Sequence, residues 1–333
     1  SFWLVSLFWL VAIMIIIGGL TRLTDSGLSI TQWQLFSGFL PPLNNTDWDK
    51  YFHLYKEIPE FKIQNFEMTL NEFKIIFWWE WIHRFLGRLI GIYYLIPLIF
   101  FSFKIRFKNL IILYLIFFLI CFQGFIGWYM VSSGLVDRID VSHFRLSVHL
   151  VIAFIILSLI LWNYFNTKII VFSDEKLKFS IPVIFLILIF MQITIGAFVS
   201  GMDAGKIYNS WPLMGASYFP NDNNFIDLFN FSAFSEPSLV QFMHRNLAYI
   251  ICLFYLFLLI KIYINNLSKF YFAINILGLV LLIQVVIGIF TLTYGAQMML
   301  SSMHQTFSIF LVSSSVYLLY LNSKSTKDHS DQL

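Results

Sequence analysis

The sequence predicts an all-α membrane protein whose eight transmembrane helices form two pseudo-symmetric four-helix bundles. Composition is the first observation behind this prediction: 59% of the 333 residues are hydrophobic and 12% are charged, whereas soluble domains hold about 25% charged residues. The second observation is a set of eight apolar stretches, and the third is an internal repeat that relates the first four to the last four. This composition predicts a lipid bilayer as partner, and with a net charge of only +3 we expect no nucleic acid.

Each apolar stretch has the length of roughly 20 residues that a helix needs to span a bilayer. In chain order the stretches cover 2–20, 76–101, 109–131, 144–165, 179–200, 239–262, 270–293 and 299–321. The first has no basic residue before Arg22 and continues to spanning length, so we expect a transmembrane helix there and not a cleavable signal peptide.

Two long connections, 21–75 and 201–238, separate the first two helices of each predicted half. The first connection contains aromatic residues at helical spacing: Trp48, Phe52 and Tyr55. It ends in a capping box from Thr69 to Glu72, which predicts the start of the second long helix. We expect short amphipathic helices over one membrane face, either as a lid over a site or as an interfacial anchor without a chemical role.

Basic residues predict the orientation. Ten of them lie in the short connections after the second, fourth and sixth stretches and in the tail: Lys104, Arg106, Lys108, Lys168, Lys176, Lys178, Lys261, Lys269, Lys324 and Lys327. The opposite connections hold seven, spread mainly over the two long loops. By the positive-inside rule both termini face the cytoplasm, or the matrix in a mitochondrion, and the long loops face outward.

The internal repeat runs through both halves at slowly changing offsets. At an offset of 178, Gly18, Asp25, Gly27, Trp33 and Pro42 fall on Gly196, Asp203, Gly205, Trp211 and Pro220. At 161, His83, Arg84, Gln123, Gly127 and Gly134 fall on His244, Arg245, Gln284, Gly288 and Gly295, and at 155, Ser147 and His149 fall on Ser302 and His304. We therefore expect an N-terminal half over 1–165, a C-terminal half over 166–323 and a polar tail over 324–333, with a pseudo-two-fold axis along the membrane normal.

Four of the seven histidines lie in even-numbered spanning stretches, near the predicted outer end of each: His83, His149, His244 and His304. Parallel helices bring two imidazoles to one depth in each half, which suits axial ligation of a haem iron. A lone membrane histidine is more often a hydrogen-bonding core residue, but two repeat-related pairs favour haem ligation. We assign no ligand role to His53, His143 or His329.

The arginines within the apolar stretches all lie within five residues of these histidines: Arg84, Arg88, Arg145 and Arg245. A guanidinium in a membrane helix is costly without an anion, and haem propionates would supply one through bidentate pairing. The alternative is that these side chains extend to the lipid headgroups.

Glu80 is the acidic residue within a spanning stretch, and it precedes His83 by one helical turn. The repeat places Gln241 at the matching position of the second half. A carboxylate in only one half is a candidate general base or a stabiliser of positive charge. The alternative is a structural ion pair with Arg84 or Arg145.

Seven segments, spread from the first span to the eighth, carry a family resemblance. They are GGLTRLTDSGLSITQWQLFSGFLPP, EFKIIFWWEWIHRFLGRLIG, QGFIGWYMVSSGL, RLSVHL, QITIGAFVSGMDAGKIYNSWPLM, QFMHRNLAY and SSMHQTF. Together and in this order they resemble the haem A synthase family, in its proteobacterial and mitochondrial branch. The resemblance implies oxidation of the C8 methyl of haem O to a formyl group, which gives haem A for terminal cytochrome oxidase.

The resemblance also implies a division of roles. The first half would hold haem O as substrate between His83 and His149 beside Glu80, and the second would hold a haem b cofactor between His244 and His304. Expected partners are haem O synthase, cytochrome oxidase assembly factors and an electron acceptor, with a homo-oligomer left open. The expected location is the bacterial inner membrane, with the mitochondrial inner membrane as the alternative.

Two other function classes fit parts of the pattern. A di-haem electron carrier of the cytochrome b type would use the same histidine pairs as equivalent sites, which the difference between Glu80 and Gln241 disfavours. A transporter with repeated halves would need a polar site at the bilayer midplane, whereas the histidines lie near one face.

Some branches of the family carry a cysteine pair in an outer loop, whereas Cys121 and Cys252 lie within apolar stretches here.

Overall fold

The structure is a computed structural model that describes residues 1–33, 37–137, 139–169, 171 and 173–324. Eight of its helices are long and apolar enough to cross a membrane, as the sequence predicts, and the described residues form no β-strand. The all-α class is therefore confirmed. Apart from Lys324, the predicted polar tail lies outside the described residues, and the pseudo-symmetric relationship of the two halves stays a prediction.

Ten α-helices form the described chain. They are α1 (Phe2–Leu23), α2 (Asn45–Lys56), α3 (Pro59–Ile63), α4 (Leu70–Ser102), α5 (Phe107–Asp137), α6 (His143–Lys168), α7 (Ser180–Gly201), α8 (Pro237–Ile264), α9 (Tyr271–Thr293) and α10 (Met298–Ser323). Short 3-10 turns follow in the connections, at Ser37–Phe39, Ala204–Lys206, Phe225–Phe229, Phe231–Ser235 and Ser268–Phe270. All helices but α2 and α3 are candidate spans.

One compact unit comprises Trp9–Ile156 and contains most of α1, the short helices and α4 to the first half of α6. Within it α4 packs against α5. The hydroxyl of Tyr94 on α4 donates to the carbonyl oxygen of Leu113 on α5 at 3.0 Å. A polar group inside a bilayer needs such a partner within the protein, because lipid tails offer no hydrogen bond. This bond therefore satisfies the hydroxyl and links α4 to α5.

The other compact unit comprises Ser1–Phe8 and the chain from Leu157 onward. Within it α7 packs against α8 and α10, and α9 packs against α10. The buried hydroxyl of Tyr320 donates to the carbonyl oxygens of Phe165 and Ile169, at 3.1 and 3.2 Å. The Phe165 carbonyl also accepts from the Ile169 N–H at 2.8 Å, so the Tyr320 hydroxyl adds a second bond there and links α10 to the end of α6.

Helix α2 forms because Asn44 caps it, accepting a hydrogen bond from the backbone of Asp47 at 2.8 Å. The predicted aromatic face is buried: Trp48, Phe52 and Tyr55. It packs on the first turns of α4, in a cluster with Phe73, Ile76 and Phe77. The amphipathic helix is thus confirmed, and its apolar face is occupied by α4 and not available for insertion into lipid.

Helix α4 begins where the sequence predicts. The Thr69 side chain accepts from the Glu72 backbone while the Glu72 carboxylate accepts from the Thr69 backbone, which is a complete capping box. The helix therefore starts two turns before its apolar stretch and carries the α2 contact on those extra turns.

Glu60 on α3 is a buried acid beneath α2, with 2% of its surface exposed. Its Oε1 atom accepts from the Tyr55 hydroxyl at 3.1 Å and its Oε2 atom has no hydrogen-bond partner among the described residues. Burial, opposed by the Tyr55 hydrogen bond and aided by the nearby carboxylates of Glu80, Asp140 and Asp25, raises the pKa of Glu60 to about 8. The folded state therefore holds this carboxyl neutral at neutral pH.

This raised pKa predicts that the α2–α3 segment loosens in alkali. A carboxyl whose pKa is higher in the folded state contributes stability that is complete below its ordinary pKa and is lost as the pH rises through about 8. We expect local opening of residues 45–65 to increase at least about tenfold between about pH 6 and about pH 9, measured by hydrogen exchange corrected for intrinsic rates. Glu60→Gln should remove this increase; equal pH profiles for the two proteins would contradict the assignment.

Candidate functional site

The structure brings both predicted histidine pairs together. His83 on α4 and His149 on α6 have ring centroids 6.4 Å apart, with planes inclined at 55°. His244 on α8 and His304 on α10 also have centroids 6.4 Å apart, at 73°. Each pair lies within one compact unit, so each unit has its own two-imidazole site.

The separation suits a single metal ion between the rings. Two metal–imidazole bonds of roughly 2 Å, with about 1 Å from each ring centre to its nitrogen, span about 6 Å. The Nδ1 atoms of all four histidines are buried without a hydrogen-bond partner among the described residues. Because each pair offers two nitrogen ligands, the number of axial ligands that a haem iron takes, the residues fit haem.

A glycine on the neighbouring helix faces each imidazole. An ideal Cβ placed on the glycine would approach the histidine Cε1 to 2.9 Å for Gly18 and His83, 3.1 Å for Gly127 and His149, 3.1 Å for Gly196 and His244, and 2.8 Å for Gly288 and His304. Any larger side chain would push against the ring, because such contacts are shorter than carbon–carbon van der Waals separation. The four glycines therefore leave the space in which the four rings lie.

A glutamine one turn before three of these glycines binds the backbone of the facing histidine. Its Nε2 atom donates to the histidine carbonyl oxygen, at 2.8 Å for Gln123 and His149, 3.0 Å for Gln192 and His244, and 3.0 Å for Gln284 and His304. Residues four apart share a helix face, so the glutamine and the glycine contact the same turn of the next helix. We call this bond the glutamine latch.

The arginine after the first histidine of each pair holds the long connection. Arg84 donates to the carbonyl oxygens of Ile30 at 2.8 Å and Gln32 at 3.5 Å. In the second unit Arg245 donates to the carbonyl oxygens of Tyr208 and Ser210, at 2.9 Å each. These two residues match Ile30 and Gln32 at the repeat offset of 178. These two guanidinium groups thus bind loop carbonyls. The sequence analysis had expected haem propionates or lipid headgroups as their partners and had not included the loop.

Glu80 is 2% exposed and has four donors around its carboxylate. Arg84 binds Oε1 through Nη2 at 2.5 Å and Nε at 3.0 Å. The Ser29 hydroxyl and the Ile30 backbone N–H donate to Oε2, both at 2.7 Å. Of the two ion-pair partners that the sequence left open, Arg84 is the one that the structure shows.

The other two arginines lie elsewhere in the first unit. Arg145 donates to the Ser133 hydroxyl and stacks over the Tyr129 ring at 4.6 Å, both on α5. Arg88 lines a small pocket together with Arg84, and Ile30, Gln32, Gly38, Leu40, Tyr51, Phe77 and Trp81 complete its walls. The repeat places Tyr249 and Leu300 at the positions of Arg88 and Arg145 in the second half. The first site therefore has the greater positive charge nearby.

Comparison with known proteins decides the family. The profile of COX15-CtaA, described as cytochrome oxidase assembly protein, matches residues 1–316. The chain belongs to the COX15-CtaA family. Similar relatives named haem A synthase come from Pelagibacter ubique, 48% identical over 96% of both chains, Rickettsia bellii, 44% identical over 93% of this chain and 94% of that one, and Flavobacterium psychrophilum, 39% identical over 97% of both. The resemblance found in the sequence is confirmed.

Sequence reasoning missed two groups of residues in this COX15-CtaA chain. The repeat paired Gly18 with Gly196 and Gly127 with Gly288, but the sequence analysis gave these glycines no role beside the histidines. The glutamines repeat as Q-x-x-x-G, a spacing that one turn of helix explains. The repeat gave both signals, but only the structure shows that the partner of each is a histidine.

The glycine contacts predict which positions tolerate a methyl group. Gly288→Ala and Gly127→Ala should lower the haem that copurifies by at least about fivefold, because overpacking a close contact costs about 1–3 kcal/mol. Gly124→Ala on the same helix as Gly127 is the matched control, since nothing lies within 4 Å of its added Cβ. Haem per protein, measured by pyridine haemochrome, checks this; equal haem in all three variants would show that the glycines do not set the ring positions.

Proposed function

We propose that this chain is a haem A synthase that oxidises the C8 methyl of haem O to a formyl group. One observation carries the proposal: two histidine pairs share the same 6.4 Å separation, but a buried carboxylate stands one turn from a histidine in the first unit only. The relatives named haem A synthase, 39–48% identical over nearly the full chain, support it. Two sites of one geometry and different charge suit one substrate and one cofactor.

In this proposal His83 and His149 hold haem O, and His244 and His304 hold haem b. Haem bound at these histidines supplies the redox chemistry of its iron. The chain's own residues position it: glycines leave room for the imidazoles and glutamine latches fix the helical turns that carry them. Arg88 and Arg145 provide positive charge for carboxylates of the substrate in the first unit.

Glu80 would act on the reacting methyl group. Removing electrons from a methyl carbon attached to a porphyrin builds positive charge, which a nearby carboxylate stabilises. The released proton would go to Oε2, because its donors, Ser29 and the Ile30 N–H, are neutral, whereas Oε1 is held by Arg84. The Ser29 hydroxyl can rotate away and accept a hydrogen bond from the protonated acid.

We place the protein in the bacterial inner membrane, with both termini cytoplasmic and the long connections outside. Haem O synthase would supply its substrate, water would supply the oxygen atom of the formyl group, and an electron acceptor would take the electrons removed. Cytochrome oxidase assembly factors would receive haem A. These assignments are supported by the eight candidate spans and the family's role in cytochrome oxidase assembly.

The second candidate function is a di-haem electron carrier of the cytochrome b type. The equal spacing of the two histidine pairs favours it. The greater positive charge of the first unit and the Glu80 carboxylate disfavour it, because two electron-transfer haems need no such difference. The two functions differ in product, since a carrier leaves haem unmodified.

We therefore predict the haems of cells that make haem O but lack their own haem A synthase. Expression of this chain should yield haem A in extracted haems analysed by mass spectrometry, and an electron carrier should leave only haem O. Glu80→Gln keeps the volume and copies Gln241, but removes the charge that stabilises the methyl carbon. We expect it to retain haem b and to lower haem A at least about tenfold, with haem O or a partly oxidised intermediate accumulating.

Two controls separate the roles of Glu80. The low-spin spectrum of haem b at His244 and His304 shows whether Glu80→Gln folds. Gln241→Glu tests the reverse substitution and should not create a second reacting site, because the second unit lacks counterparts of Arg88 and Arg145. A normal yield of haem A from Glu80→Gln would make the carboxylate purely structural.

The proposed orientation predicts the results of reporter fusions. Fusions after Lys108 and Lys269 should report the cytoplasm, because basic connections stay on that side. Fusions within 201–238 should report the periplasm. Alkaline phosphatase and green fluorescent protein at the same junctions provide opposite readouts, and an inverted pattern would place the histidine pairs at the cytoplasmic face.

A further inference from the structure

The four histidines do not have four equal supports. Three face the motif Q-x-x-x-G on the neighbouring helix: Gln123 to Gly127, Gln192 to Gly196, and Gln284 to Gly288. His83 faces Gly18, and the residue four before that glycine is Met14. The motif is thus present at His149, His244 and His304 and altered at His83.

Met14 lies in the place of the missing glutamine. Its terminal methyl carbon would be 3.3 Å from a Cβ added at Gly87, four residues after His83 on α4. The side chain therefore reaches the same helical turn whose carbonyl the glutamines bind at the other three histidines. A thioether has no hydrogen to donate, so Met14 cannot form a latch. Gly87 has no side chain and so leaves room for Met14, and the repeat places Ala248 at the position of Gly87 in the second half.

This difference matters because the two proposed sites have opposite requirements. A cofactor must stay bound through many turnovers, whereas a substrate haem must enter and its product must leave. Both histidines of the second unit are latched, and one of the two in the first unit is. An interhelical hydrogen bond in a membrane restrains the turn that carries it.

We propose that Met14 makes His83 the axial ligand that releases haem, so that the first site exchanges its haem while the second retains its own. This inference rests on the proposed binding of haem between His83 and His149. His149, held by Gln123, remains the fixed ligand of the first site. Position 14 thereby acts as a positioning residue through the α4 turn, without contact with the iron.

The test uses detergent-purified full-length protein loaded with iron protoporphyrin IX. Transfer of haem to excess apomyoglobin is followed by absorbance, and the phase lost in His83→Ala is assigned to the first unit. Met14→Gln, which is nearly equal in volume, should slow that phase about threefold, the factor equivalent to one membrane hydrogen bond of about 0.6 kcal/mol. Met14→Gln should also lower the fraction of ferrous haem that binds carbon monoxide, because carbon monoxide binds only where an axial histidine has left the iron.

Two further variants control for volume and for position. Met14→Leu has no donor and should keep the wild-type transfer rate, so slowing in both variants would overturn the role of the hydrogen bond. Gln192→Met should speed loss of haem from the second unit about threefold. If Met14→Gln fails to fold, this reverse substitution still decides: an unchanged rate in Gln192→Met overturns the latch.

The outcomes separate the inference from the function on which it rests. If His83→Ala loses no phase of haem transfer, the proposed haem site itself is wrong. If His83→Ala loses a phase but Met14→Gln changes neither the transfer rate nor the carbon monoxide fraction, the site stands and the inference about Met14 fails. Slower transfer together with less carbon monoxide binding supports the inference.

Discussion

Four imidazole rings buried inside membrane-spanning helices impose the constraint on which the rest of the structure depends. Each ring carries a polar nitrogen without a partner among the described residues, and such an atom in a bilayer costs free energy unless a ligand satisfies it. The ring must therefore be held at one position where a ligand can reach that nitrogen. Glycines opposite the rings make that position available, and glutamines on the same helix faces fix three of the four backbone turns.

The two halves keep this framework and differ in charge around it. Arg84 and Arg245 bind loop carbonyls at equivalent positions, so anchoring the long connection is a property of the repeated unit. The i−4 partner of the arginine is Glu80 in one half and Gln241 in the other, at 2.5 and 3.3 Å. Gln241 can supply the hydrogen bond but no charge. The negative charge of Glu80 is thus not needed to hold the loop. This favours the chemical role that we propose for the carboxylate.

Much of this fold could be predicted from sequence because the bilayer leaves few alternatives. Length and hydropathy fix eight spans, and local rules fix features such as the Thr69 capping box. The histidine pairing followed from the repeat. The ion-pair partner of Glu80 could not be predicted. Arg84 lies one turn away on the same helix, but Arg145 on another helix carries the same guanidinium group, and sequence spacing does not decide between them. Ser29, in the long connection, had no periodic signal that could place it on the carboxylate.

The same limit explains why Met14 escaped sequence reasoning. A methionine in an apolar helix is ordinary for a membrane span, and its significance appears only when Gly18, one turn later, is known to face His83. Once three glutamine latches are seen, the exception has a physical meaning, since a methionine fills the volume of a glutamine but donates no hydrogen bond. Repeated architecture thus provides its own control: positions where the halves agree hold the framework, and positions such as 14 and 80, where they differ, are where we propose that the two sites acquire different tasks.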